Sequence, residues 1–214
     1  MSAKSNVGGI SERFTRAVDL ARESHQDDVR KGTPIPYLSH LLAVASLAIE
    51  DASQDTSLGD QLEEIAVAAM LHDVVEDTVD KESPVTVEEL ERQFGAVVAQ
   101  IVAGCTDAHT HPKPEWKIRK RAYIERLKVC EPNVLCVVLA DKRHNAKCIV
   151  NDATRIGPSF WTRFNADPEK QIWYYSKVSE ILLERRPGAA AEELQHAVSQ
   201  LCDCLLYTSD APDE

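Results

Sequence analysis

The chain has 214 residues, 28% charged and 43% hydrophobic, a globular mixture whose length suits one domain around a sizeable core. The formal net charge of −11 argues against general affinity for nucleic acid or an anionic membrane, yet leaves room for an anionic substrate where a metal ion or basic cluster dominates a cleft. Met1 to Gly9 is polar and no apolar run approaches about 18 residues, so neither a leader nor a membrane span is expected. The six cysteines lie in apolar helical contexts or in the Cys202–Cys204 pair, outside zinc spacing, and read as free thiols of a reducing cytoplasm.

In chain order, almost every segment reads as helix. Ser11 to His25 places Phe14, Ala17, Val18 and Ala21 at helical spacing. After the loop Lys31-Gly32-Thr33-Pro34-Ile35-Pro36, Leu41 to Ile49 continues the pattern. An apolar helix is expected from about Leu62 through Glu76. Thr86 with Glu89 makes a capping box for a short helix that Gly95 stops. Val97 to Cys105 is apolar, Trp116 to Val129 basic, and Pro132 opens a helix running to Cys148. Between them, 106–115 is the most irregular internal loop. Asp167-Pro168 opens a helix to about Arg185, and Ala189 to Leu205 closes the fold. No strand alternation or repeat is visible, so the fold is expected to be all-α. A single domain is expected over 1–206, with 207–214 a disordered tail.

The most informative string is His72-Asp73-Val74-Val75-Glu76-Asp77-Thr78, which follows the apolar run Ile65 to Leu71. On one straight helix, His72, Asp73, Glu76 and Asp77 span an arc of roughly 140°, opposite Leu71, Val74 and Val75. Three carboxylates and an imidazole on one half-buried stripe repel one another and resist desolvation unless a cation sits there. One helix offers too few ligands. His40 starts the apolar helix after Tyr37, and Asp141 interrupts the run Val134 to Ala140, where a charge wants a partner. His40, His72, Asp73 and Asp141 make a two-histidine, two-carboxylate set, which without thiolate favours manganese, iron or magnesium over structural zinc.

These residues, in this order, resemble the HD superfamily of metal-dependent phosphohydrolases. Val29-Arg30-Lys31-Gly32 with Pro36-Tyr37, then His72 to Thr78, Phe94-Gly95, and Leu139-Ala140-Asp141-Lys142-Arg143-His144-Asn145 are similar to the hydrolase domain of RelA/SpoT proteins, which remove the 3′-pyrophosphate of guanosine tetra- and pentaphosphate, (p)ppGpp. The likeness runs from about Phe14 to Ser176, with nothing long enough for a synthetase domain after it, as in stand-alone small alarmone hydrolases including metazoan SpoT homologues. It implies an HD-domain helical bundle, a cytoplasmic hydrolase, and one manganese ion per chain on His40, His72, Asp73 and Asp141. It implies that Glu76 and Asp77 position and deprotonate water, that Arg30 and Lys31 meet the nucleotide's base and phosphates, and that Asn145 meets its sugar or phosphate. The partner implied is a small-molecule nucleotide, with no nucleic acid or membrane; the oligomeric state is not readable.

The chain departs from the family beside these positions: Leu41 stands for the usual proline after the first histidine, Val138 for a lysine, Lys142 for an arginine, and Ala108 to Lys120 is shorter than in the long proteins. Substrate choice is where such changes would act, so the alternatives are the same chemistry on another phosphorylated nucleotide, or a non-catalytic nucleotide-binding regulator. Lys117 to Arg121 reads as a solvated helix face, and Trp173 to Tyr175 as packing, with Tyr174 a candidate edge of the nucleotide pocket. His25, His109, His111 and His144 carry no part of the expectation.

Overall fold

Apolar side chains at helical spacing put most of the chain into helices that share one core. The computed structural model describes residues 9–108, 110 and 112–209. Along them run α1 (Glu12–Ser24), α2 (Leu38–Gln54), α3 (Leu62–Leu71), α4 (Val74–Thr78), α5 (Val87–Phe94), α6 (Ala96–Cys105), α7 (Trp116–Leu127), α8 (Pro132–Ile156), α9 (Pro168–Arg185) and α10 (Ala189–Ser209). The fold is all-α. Among the described residues the extended pairing is one antiparallel bridge, Val29 to Pro36, in the loop before α2. No helix of the described residues is long and apolar enough to cross a membrane.

Polar caps fix where several helices begin. Ser11 accepts the Arg13 N–H at 3.1 Å, and Asp167 accepts that of Lys170 at 3.0 Å, ahead of a first-turn proline. Thr86 accepts the Glu89 N–H at 3.2 Å, but the Glu89 carboxylate turns to Arg92, 3.2 Å from its Nε, so the expected capping box is filled on one side.

Helix α3 is the centre of the bundle. Ile65 through Leu71 are buried on every side, with α1, α2, α6 and α8 packed around them. Helix α8 is buried from Val134 through Asp141. Its approach to α6 requires a missing side chain: a Cβ on Gly104 would lie 2.7 Å from Cγ1 of Val134. This contact seats the first turn of α8 against α6, about two turns before Asp141.

Three element ends differ from the sequence expectation. The helix expected through Glu76 breaks at His72-Asp73, and α4 restarts at Val74. His72 Nδ1 takes the Ala69 carbonyl at 2.8 Å, while Asp73 bends to φ −100° and its own carbonyl still accepts the Asp77 N–H at 2.9 Å. Helix α8 continues past Cys148 to Ile156 because Ile149 and Ala153 extend its buried stripe. Helix α10, expected to end near Leu205, continues through Ser209; 210–214 lie outside the described residues.

Candidate active site and metal centre

Four donors from three places in the chain converge where α2 begins, α3 ends and α8 passes. His40 and His72 are each 2% exposed, in a core whose cost demands partners for both rings. Their Nε2 atoms are 3.3 Å apart. Asp73 Oδ2 lies 3.0 Å from His72 Nε2 and 3.5 Å from His40 Nε2. Asp141 Oδ1 lies 3.5 Å from His40 Nε2 and 3.7 Å from His72 Nε2. The break at His72-Asp73 makes this convergence feasible: adjacent residues of a straight helix point about 100° apart, whereas here both reach one point.

The donor set fits a divalent ion. His40, His72 and Asp73 each offer a ligand atom within 4.8 Å of the others, and Asp141 closes on both imidazoles from the opposite helix. Ligands about 2.1 Å from one ion are separated by about 3.0 to 3.4 Å along octahedral or tetrahedral edges, close to these spacings. The electrostatics agree. Burial opposes a charge on His72, yet Asp73 and Asp141 raise its imidazole well above the usual range. Burial likewise opposes the Asp73 carboxylate, but His72 and His40 hold it well below the ordinary range. The cluster favours positive charge at its centre.

Each donor is also held from behind. Tyr37 Oη donates to Asp73 Oδ2 at 2.6 Å, its phenol kept protonated by burial and by Asp73 and Asp77. Lys142 Nζ donates to Asp141 Oδ2 at 2.5 Å and lies 5.8 Å from the ring centres of Tyr123 and Tyr174. Asn145 donates to Asp141 Oδ1 at 2.5 Å, so in this structure its amide serves the carboxylate. His40 Nδ1 lies 2.8 Å from His144 Nδ1. His25 pairs with Asp28 at 3.0 Å and sets its ring 4.9 Å from that of Tyr37.

Glu76 and Asp77 open onto a cleft of about 510 Å³ together with Asp28, Val29, Tyr37 and Lys113. Glu76 accepts from Lys113 Nζ at 2.8 Å and from the Asp107 N–H at 3.2 Å. Burial, reinforced by Asp73 and Glu76, pushes the Asp77 carboxyl up to about 8. A polar cavity of about 560 Å³ elsewhere, between α2, α8 and α10, is no rival. Its arginines are already committed, Arg143 to Asp51 and Glu193, and Arg186 to Asp55.

The basic pair before α2 splits. Arg30 sits close enough to His144, the ring behind His40, to disfavour a proton there. Lys31 reaches Asn165 at 3.4 Å and the Phe164 ring at 5.7 Å. Gly32, at φ +70°, lets the turn pass under Arg163, whose Cδ would be 2.5 Å from a Cβ there. Two packing expectations change. Tyr174 is 3% exposed and lies behind Asp141 rather than on the cleft. Arg119 and Lys120 are not a solvated face; both turn inward onto Asp107. His144 has no role in the sequence expectation, although its i+3 spacing from Asp141 places both on one helix face. His109 and His111 lie outside the described residues.

The HD-domain family pattern matches residues 17–160, which contain all four donors and the Glu76-Asp77 pair. The chain belongs to the HD-domain family, in its RelA/SpoT-type hydrolase branch. A relative from Danio rerio, named guanosine-3′,5′-bis(diphosphate) 3′-pyrophosphohydrolase MESH1, is 38% identical over 179 residues, covering 82% of this chain and 86% of the relative. The Mus musculus protein of the same name is 31% identical over 200 residues, covering 91% and 96%. A solved structure, described as a metazoan ortholog of SpoT that hydrolyzes ppGpp and plays a role in starvation responses, superposes with a TM-score of 0.68 at 26% identity, covering 89% of this chain and 96% of that one.

Proposed function

We propose that this HD-domain protein is a manganese-dependent (p)ppGpp 3′-pyrophosphohydrolase, releasing pyrophosphate and leaving GDP or GTP. The observation that carries the reading is the four-donor cluster with Glu76 and Asp77 one turn beyond His72 and Asp73, lining a cleft with Tyr37, which donates to Asp73. His40, His72, Asp73 and Asp141 would hold the ion. When bound, it would lower the pKa of water and offset charge on the phosphate oxygens.

The rest of the reaction is the work of side chains. Water bonds to the phosphorus next to the ribose 3′-oxygen, the bond from that phosphorus to the 3′-oxygen breaks, and the 3′-oxygen takes up a proton. Glu76 and Asp77 orient the water and take its proton. Tyr37 and Lys142 keep Asp73 and Asp141 aimed at the centre. Asn145, which donates to Asp141, would meet the sugar or phosphate from there. Arg30 and Lys31 supply positive charge that an anionic substrate needs against a net charge of −11. The free thiols among the described residues suit a reducing compartment, and we place the enzyme in the cytoplasm.

The test is chromatography of a nucleotide panel with the manganese-loaded protein. Loss of (p)ppGpp with equimolar GDP or GTP and pyrophosphate is expected. Consumption of another nucleotide while (p)ppGpp stays intact would overturn the substrate assignment.

A further inference from the structure

The loop between α6 and α7 reaches the active site through ionic contacts that the reaction scheme does not use. Asp107 follows α6 and its side chain is 5% exposed, a charge whose burial must be matched. Arg119 and Lys120, in the first turns of α7, match it from two sides, and together they hold its carboxyl well below the ordinary range. The backbone just before it is pinned as well: Arg126 donates to the Thr106 carbonyl at 2.6 Å, and the Thr106 hydroxyl donates to the Val102 carbonyl at 2.9 Å.

This anchored group faces Glu76 twice. The Asp107 N–H meets one oxygen of Glu76 at 3.2 Å, while Nη1 of Arg119, fixed by the Asp107 side chain, stands 3.7 Å from the other. An ion pair serving the fold alone would be complete with Asp107, Arg119 and Lys120. The contact to Glu76 gives the guanidinium a direction. Glu76 stands beside Asp77, whose carboxyl is pushed up by burial, Asp73 and Glu76, so the direction of the Glu76 carboxylate matters to both groups. Lys113 also meets it, but as a point charge on a flexible stem with a side chain 35% exposed; Arg119 is 13% exposed and rigidly forked.

We propose that Arg119, clamped by Asp107, is a positioning residue that sets where the Glu76 carboxylate points in the cleft. The inference rests on the assignment of Glu76 to the reaction. It makes the α6–α7 loop, where this chain departs from the long RelA/SpoT proteins, part of the catalytic apparatus. Both carboxylates meet Arg119 at the same nitrogen, Nη1, which therefore stands between Asp107 and Glu76.

A kinetic double-mutant cycle decides between positioning and the other two roles. Arg119→Gln should lower kcat on the order of 10-fold or more, with KM and bound metal close to wild type. Because Arg119 acts through Glu76, adding Arg119→Gln to Glu76→Gln should cost nothing further. Asp107→Asn should behave in the same way. If Arg119→Gln folds poorly, Arg119→Lys keeps the buried charge but replaces the planar guanidinium with a shorter-reaching ammonium, and the same non-additivity is expected. Losses that multiply in the double variant would overturn the proposal and make the contact structural. A raised KM with unchanged kcat would also overturn it, assigning Arg119 to substrate. If the wild type turns over a different nucleotide, the substrate reading fails instead, and the cycle run on that nucleotide still tests Arg119.

Discussion

At the scale of single residues, the donor cluster is defined as much by what stands behind each donor as by the donors. The His72 ring is set by the Ala69 carbonyl at Nδ1, which leaves Nε2 for the centre. His40 has no carbonyl in that place; it has His144, Nδ1 to Nδ1 at 2.8 Å. One of the two nitrogens must carry the proton and the other a lone pair. Burial, with the nearby Arg30 charge, depresses His144 to about 4, so its ring is neutral near pH 7 and able to accept. In a neutral His40, an N–H at Nδ1 donated to His144 would leave Nε2 free as a ligand toward the centre. His144→Ala should therefore weaken manganese affinity by roughly 10- to 100-fold, the usual effect of losing such a supporting bond. Competition titration against a chelator measures it; unchanged affinity would return His144 to the role of a packing residue.

At the scale of elements, the sequence is most readable where one physical rule acts alone. Asp167-Pro168 and Thr86 announce helix starts because a cap depends only on its neighbours in the chain. His40, His72, Asp73 and Asp141 stand out because each is a costly polar group in an apolar helix. The break between α3 and α4 is hidden, since Val74 and Val75 are buried and continue the apolar pattern across it. The inward turn of Arg119 and Lys120 is hidden for another reason: only the path of the 106–115 loop brings Asp107 to them. Element packing also sets how closely α8 approaches α6. A side chain at Gly104 would strike Val134 at 2.7 Å from Cγ1 and 2.9 Å from Cγ2, and it would push α8 from α6. Gly104→Ala should destabilise the fold by about 1–3 kcal/mol, as overpacking does. Adding Val134→Ala should recover part of that loss in denaturant melts. A neutral Gly104→Ala would mean that the two helices separate freely.

At the scale of the whole molecule, the fold stores repulsion at one end of α3 that a cation relieves. Asp73, Asp77 and Asp141 face two imidazoles within a bundle whose net charge is −11. Metal binds the folded chain, whose donors are assembled, far better than the unfolded one, so chelation should lower Tm and titration should restore it in proportion to the logarithm of free metal. The pH dependence of the metal-free protein locates the stored cost. Asp77 titrates at about 8 in the fold, against about 3.9 in an unfolded chain. Between those values the folded state holds a proton that the unfolded state has released. Stability linked to Asp77 is therefore full below about pH 4 and falls as pH rises toward about 8. His72, raised by its carboxylates, contributes with the same sign once pH exceeds its unfolded value of about 6.5. Asp73 and Asp141, held low, contribute in the opposite sense, losing stability only on acidification below about pH 4. Asp77→Asn removes the first term alone. The chelated variant should lose less stability than chelated wild type between pH 5 and pH 8, and the two curves should converge at the acid end. Melts across that range measure the difference. Parallel curves would mean that Asp77 is solvated in the metal-free protein, and that the repulsion relieved by metal resides in Asp73 and Asp141 instead.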